Sequence, residues 1–185
     1  ENHDIAQITT ESVTIYNDGQ QVNRSTETLD WDADAAGKSG YDHYMLKEIH
    51  EQPRALRQAI SGRIKDLSTT VDLDIDLPEA YLQSIEELQI IACGTSYHAG
   101  LFAKDLLEAH ADVRVTVHTA SEYDFQGGRD PWRTLVVAIT QSGETADTLS
   151  ALREANRAGA KTLALTNTLG STVTRTADYT VFIHA

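Results

Sequence analysis

The sequence predicts a doubly wound α/β domain, with a parallel sheet covered by helices on both faces. Three observations carry this. From residue 88 onward, short apolar runs alternate with helical stretches of roughly 12–16 residues. The runs are continuously apolar, as strands buried on both faces are, and right-handed crossovers through the helices keep them parallel. Two of the runs also end in a turn of glycine and hydroxyl residues directly before a helical stretch.

Taken in order, residues 5–16 are rich in β-branched side chains, Asn17-Asp18-Gly19 is a turn signal, and Gln20-Gln21-Val22 follows. This predicts a β-hairpin. A lone hairpin is marginal in water, so it is expected to belong to a larger sheet. Residues 28–42 carry Asp30, Asp32, Asp34, Gly37, Ser39 and Gly40 with few apolar groups, the composition of a linker. Helical signals begin at Tyr41-Asp42, with Met45, Leu46 and Ile49 at helical spacing. Pro53 is expected to break or restart that helix, because it lacks an N–H and clashes one turn back. Leu56 and Ile60 continue the apolar stripe to Gly62, residues 66–78 read as an acidic loop, and Pro78-Glu79 suits the first turn of a helix to about Glu87. The predicted strands then fall at 88–92, 113–117, 134–139, 162–165 and 179–183. Helices are predicted at 96–111 and 144–158, with a short one after Ser171.

Composition sets limits on function. The chain has 185 residues, 41% hydrophobic, enough for one core. No apolar run approaches the ~18 residues of a membrane helix, and the start Glu1-Asn2-His3-Asp4 is not a signal peptide. The absent initiator Met suggests that residues precede it. One cysteine, Cys93, excludes a disulfide framework and a multi-cysteine metal site, and fits a reducing, cytoplasmic setting. The acids number 28 against 15 bases, giving a net charge of −13, which disfavours nucleic acid. With 5 Lys, 10 Arg, 16 Asp and 12 Glu, the balance leans toward a protein that works in concentrated salt, where self-repulsion is screened.

The chemistry is expected at the two polar turns. Cys93-Gly94-Thr95-Ser96 follows one apolar run, and Thr140-Gln141-Ser142-Gly143-Glu144-Thr145 follows another. In open α/β sheets, ligands bind beyond the carboxyl ends of the strands. Orphan N–H groups at a helix start favour an anion, glycine lets it approach closely, and hydroxyls add uncharged donors; together these suit a phosphate monoester. One such turn is more simply a helix cap; two on one sheet favour the ligand. Neither is a P-loop or a dinucleotide fingerprint. Cys93 reads as a packed thiol, and the histidines show no metal-ligand spacing. Glu144 reads as a first-turn acid before a base.

These residues resemble a known family. Residues 90–97, with Cys93-Gly94-Thr95-Ser96 at their centre, and residues 140–148 resemble the two phosphosugar-binding motifs of the glucosamine-6-phosphate synthases, the isomerising glutamine–fructose-6-phosphate aminotransferases. His43-Tyr44-Met45-Leu46-Lys47-Glu48-Ile49 followed by His50-Glu51-Gln52-Pro53 resembles the opening of that family's isomerase region, and Ala120-Ser121-Glu122-Tyr123 and Leu165-Thr166-Asn167 match as well.

The resemblance implies a sugar isomerase (SIS) domain with a five-stranded parallel sheet in flavodoxin-like order. It divides the chain into residues 1–27, similar to the last strands of a glutaminase domain, a linker at 28–42, and the first SIS domain at 43–185. It implies substrate-binding roles for Gly94, Thr95, Ser96, Thr140, Gln141, Ser142 and Thr145. Thr140 stands where the family commonly has serine. No metal or cofactor is implied. The implied partners are a hexose 6-phosphate, a second SIS half, a glutaminase domain, and a second copy in a homodimer; no nucleic acid or membrane is implied. The family's nucleophilic cysteine is N-terminal, where this chain has Glu1. Its Schiff-base lysine, isomerase glutamate and ring-opening histidine lie in the second half, so no catalytic residue is assigned. The expectation is a fragment of an amidotransferase that grips substrate and is inactive alone. The alternative is a free-standing SIS-type sugar-phosphate-binding regulatory module. A different phosphosugar isomerase is a weaker third, disfavoured by residues 43–53.

Overall fold

A computed structural model describes residues 3–25, 37–64, 71–125 and 130–184. The chain divides into two compact units, Glu1–Ile49 and His50–Ala185.

In the first unit the expected hairpin is a three-stranded antiparallel sheet. Its strands are β1 (Asp4–Ile8), β2 (Val13–Asn17) and β3 (Gln20–Val22), in that spatial order. The second turn lies inside the β-branched run. Thr9 Oγ1 accepts from the N–H of Ser12 at 2.9 Å and of Glu11 at 3.3 Å, so a threonine that reads as a strand former closes a turn instead. The expected turn at Asp18-Gly19 is present, with φ of 49° and 79°. The carboxylate of Asp4 accepts from Arg24 Nη2 at 2.9 Å, Arg24 Nε at 3.0 Å and Asn17 Nδ2 at 2.7 Å. These donors, Arg24 first, hold its pKa far below the ordinary carboxylate range. Residues 28–36 of the expected linker lie outside the described residues.

Helix α1 (Tyr44–Ile60) runs through Pro53 without a break, a correction to the sequence reading. Proline removes one ladder hydrogen bond, to the carbonyl of Ile49, but the bonds of neighbouring turns remain and suffice to carry the helix across. Part of the expected acidic loop, 66–70, lies outside the described residues. At its edges Ile64 and Val71 form an antiparallel bridge instead of open loop. The helix expected from Pro78 to about Glu87 is the single turn α2 (Glu79–Leu82), because strand pairing takes the chain from Glu87 onward.

The second unit holds a five-stranded sheet. Its strands are β4 (Glu87–Ala92), β5 (Arg114–Thr119), β6 (Thr134–Ile139), β7 (Lys161–Thr166) and β8 (Tyr179–Phe182), in the order β5-β4-β6-β7-β8. Every neighbouring pair is parallel, so the expected fold class is the one observed. The connections carry α3 (Gly94–His110), α4 (Ala146–Ala158) and α5 (Thr172–Thr176). The helix starts shift by two residues from the sequence expectation: α3 begins at Gly94 rather than Ser96, and α4 at Ala146 rather than Glu144.

Strand alternation sends side chains to two cores. Ile91, Val136, Ala138 and Ala164 pack on one face with Leu149, Leu152 and Ala155 of α4 and Val173 of α5. Ile90, Val115, Leu135, Val137, Leu163 and Val181 pack on the other with Ala103 and Leu107 of α3 and with Tyr81. Burial on both faces is the reason the strands read as unbroken apolar runs. Among the described residues, no helix is long and apolar enough to cross a membrane.

Candidate functional site

Strands β4 and β6 are neighbours, while β5 lies on the far side of β4, so the strand order reverses between them. In a doubly wound sheet this is where loops diverge and leave a crevice at the carboxyl edge. Ala92 pairs with Ile139 in register, so the two polar turns leave the sheet side by side. They enclose a cavity of about 210 Å³ lined by Cys93, Ser96, Ile139, Thr140, Gln141, Ser142, Thr145 and Thr148.

Of the seven residues the sequence singles out, five line this cavity: Ser96, Thr140, Gln141, Ser142 and Thr145. Gly94 and Thr95 do not. They form the exposed first residues of α3, and Gly94 has a φ of +57°, which glycine allows at no steric cost. The lining also includes three residues that sequence reasoning left out. Cys93 is half-buried with Sγ 3.9 Å from Thr148 Oγ1. Thr148 is the third residue of α4 and lines the same space, and Ile139 closes the strand end. The helical periodicity of α4 carried a signal for Thr148, three residues after Thr145.

The cap reading of these turns meets its test in the hydrogen bonds. Neither α3, which begins after Cys93, nor α4, which begins after Thr145, has a side-chain cap. Their first N–H groups are therefore not taken by Ser or Thr. The Thr140 hydroxyl, which is buried, accepts instead from Gly143 N–H at 3.2 Å, and the Ser142 hydroxyl from Glu144 N–H at 3.2 Å. A hydroxyl whose oxygen accepts a backbone N–H keeps its own proton to donate. Among the described residues, the cavity lining contains no lysine, arginine or histidine. What faces the space is a set of neutral donors at the N-termini of helices of 17 and 13 residues, an arrangement that stabilises an anion without a cation.

The second turn is held from the β7–α5 side. The carbonyl of Gln141 accepts from Asn167 N–H at 3.2 Å and from the hydroxyls of Thr166 at 3.3 Å and Thr168 at 3.2 Å. The carbonyl of Gly143 accepts from Val173 N–H at 3.0 Å. Glu144 is exposed, and its Oε1 accepts from Thr172 N–H at 2.7 Å. That N–H holds the Glu144 carboxyl below its ordinary pKa. Glu144 was expected to serve its own helix; its carboxylate is bound to the start of α5.

Parallel order, a switch point between β4 and β6, and a neutral donor-lined cavity at that point define a doubly wound α/β domain whose cavity has the donors that suit an anion. The chain belongs to the SIS domain family, whose model matches residues 81–185. It is similar to the isomerising glutamine–fructose-6-phosphate aminotransferase of Halobacterium salinarum, 72% identical over 184 residues, which is all of this chain and 31% of that protein. The same enzyme of Caldanaerobacter subterraneus is 42% identical over 186 residues, again with 31% of its length covered. Among solved structures, the C-terminal domain of glucosamine-fructose-6-phosphate aminotransferase from Francisella tularensis aligns with a TM-score of 0.69 at 38% identity, over 80% of this chain and 41% of that one. The chain thus spans about a third of the curated relatives it matches.

Proposed function

We propose that the cavity between β4 and β6 holds the phosphate of a hexose 6-phosphate, fructose 6-phosphate first. On this reading the chain serves as the first sugar-phosphate half of a cytoplasmic glutamine–fructose-6-phosphate aminotransferase. A second SIS half, a glutaminase domain and a second copy are its partners there. The carrying observation is the convergence of Ser96, Gln141, Ser142 and Thr145 on one cavity at the N-termini of two helices.

The work of these residues is grip. Backbone N–H groups and hydroxyl protons receive the phosphate oxygens, the helix dipoles offset its charge, and the sugar is oriented from its phosphate end. The Gly94-Thr95 start of α3, next in the chain to Cys93 and Ser96 of the cavity lining, is assigned to the sugar. No step that makes or breaks a carbon–nitrogen bond is assigned to the cavity.

Titration of the chain with fructose 6-phosphate, glucose 6-phosphate and glucose tests this. Both phosphates are expected to bind with dissociation constants near millimolar, about −4 kcal/mol, and glucose not at all. Ser96→Ala and Ser142→Ala are each expected to weaken the phosphates roughly tenfold, the worth of one hydrogen bond to a charged group. Equal response to glucose, no response to either phosphate, or indifference to both substitutions would overturn the reading.

A further inference from the structure

We propose that Glu144 is a positioning residue for the phosphate, acting through the peptide of Thr172 to hold the second turn in its binding shape. The inference rests on the reading of the cavity given above. Four observations carry it. Glu144 N–H donates to Ser142 Oγ at 3.2 Å, so the place of Glu144 sets where the Ser142 hydroxyl proton is free to point. Its carboxylate accepts from Thr172 N–H at 2.7 Å, while the adjacent Gly143 carbonyl accepts from Val173 N–H at 3.0 Å. Two consecutive residues of the turn are thus bound by two consecutive N–H groups of α5. Among the described hydrogen bonds that tie this turn to the segment 166–173, Glu144 supplies the one ionised side chain. Finally, Glu144 is exposed, so its side chain can be altered without opening the core.

The sign of the effect separates this role from simple electrostatics. A carboxylate near a phosphate repels it, so if charge were all that mattered, removing Glu144 would tighten phosphate binding. If Glu144 positions the turn, removing it lets Ser142 and Thr145 drift from the geometry the phosphate needs, and binding weakens despite the lost repulsion. Glutamine keeps an acceptor oxygen in the same place, so it retains the anchor.

The partner can be removed independently. Thr172 is the first residue of α5, where proline is tolerated, and Ser171 before it has φ −65° and ψ 163°, the extended conformation that proline requires of its neighbour. Thr172→Pro therefore deletes the N–H, together with the Thr172 hydroxyl that also bonds the Glu144 carboxylate, and leaves Glu144 in place.

The experiment is a titration of the wild-type chain and four variants with fructose 6-phosphate, alongside thermal unfolding. Glu144→Ala and Thr172→Pro are each expected to weaken binding roughly tenfold. The double variant should be no weaker than either single one, because both remove the same bond. Glu144→Gln should stay within about twofold of wild type. All are expected to unfold within a few degrees of wild type. Glu144→Ala binding as tightly as wild type or tighter, or additive losses in the double variant, would overturn the proposal. If Glu144→Ala alone loses its fold, Thr172→Pro and Glu144→Gln still decide it. A wild-type chain that ignores the phosphate, or the indifference to both Ser96→Ala and Ser142→Ala described above, would instead refute the cavity reading.

Discussion

A Cβ built on Gly143 would stand 2.2 Å from Oγ of Ser171. The turn between β6 and α4 is therefore pressed onto the segment before α5 with no room for a side chain. Gly143 also has a φ of +70°, which L residues rarely adopt. Gly143→Ala is expected to destabilise the domain by about 2–4 kcal/mol, from backbone strain and overpacking together. Urea unfolding of the variant measures it; a loss under about 0.5 kcal/mol would mean the turn yields freely.

Asp178 holds Thr162 at the start of β7. Its Oδ2 accepts from Thr162 N–H at 2.9 Å and lies 3.0 Å from the Thr162 hydroxyl, which is fully buried. Asp178→Ala removes the charged acceptor from the N–H and hydroxyl of buried Thr162. The expected cost is about 1–3 kcal/mol, read as a lower urea midpoint. Asp178→Asn keeps an acceptor oxygen and should lose less. Equal losses for the two variants would show that the charge, not the hydrogen bond, matters there.

His118 gives the second unit a pH dependence of known sign. The ring is half-buried, its edge packs on Tyr123 at a centroid distance of 5.5 Å, and its Nε2 lies 3.0 Å from Thr116 Oγ1. Burial pushes its pKa below 6.5, with the charge of Glu87 opposing. Between the folded value and about 6.5 the unfolded chain binds more protons, so stability is full above that window and falls as pH drops through it. His118→Gln should unfold with a shallower pH dependence between about pH 7 and 5. Identical slopes for wild type and variant would remove His118 as the cause.

Salt should stabilise this chain. With a net charge of −13, repulsion among surface carboxylates opposes the compact state. Molar potassium chloride shortens the Debye length to roughly 3 Å and screens that repulsion. The melting temperature is expected to rise between dilute buffer and molar salt. An unchanged or lower value would argue against salt adaptation.

Most of the sheet was legible in the sequence because its central strands β4, β6 and β7 are buried on both faces, which writes itself as an apolar run. The two polar turns that line the cavity were legible because glycine and hydroxyl residues sit just where a buried strand gives way to a helix. The misreadings have local causes. Pro53 signals a break by its own chemistry, yet the hydrogen bonds on either side carry α1 across it. Thr9 counts toward a strand by propensity, yet its hydroxyl serves a turn. Residues 79–87 read as helix by their start, but pairing with β6 claims Glu87.

The sequence by itself determined the class of fold, the succession of strands and helices, and the two turns in which glycine and hydroxyl residues are concentrated. All of these rest on neighbours within a few positions. Tertiary structure alone decided that β4 and β6 lie together, which brings Ser96 within one cavity of Ser142 and Thr145. It also decided that Thr148 and Cys93 share that cavity, and that the carboxylate of Glu144 belongs to Thr172, 28 residues on, rather than to its own helix. The physical reason is that strand order and loop anchoring are fixed by contacts between segments distant in the chain, whose partners no local pattern names.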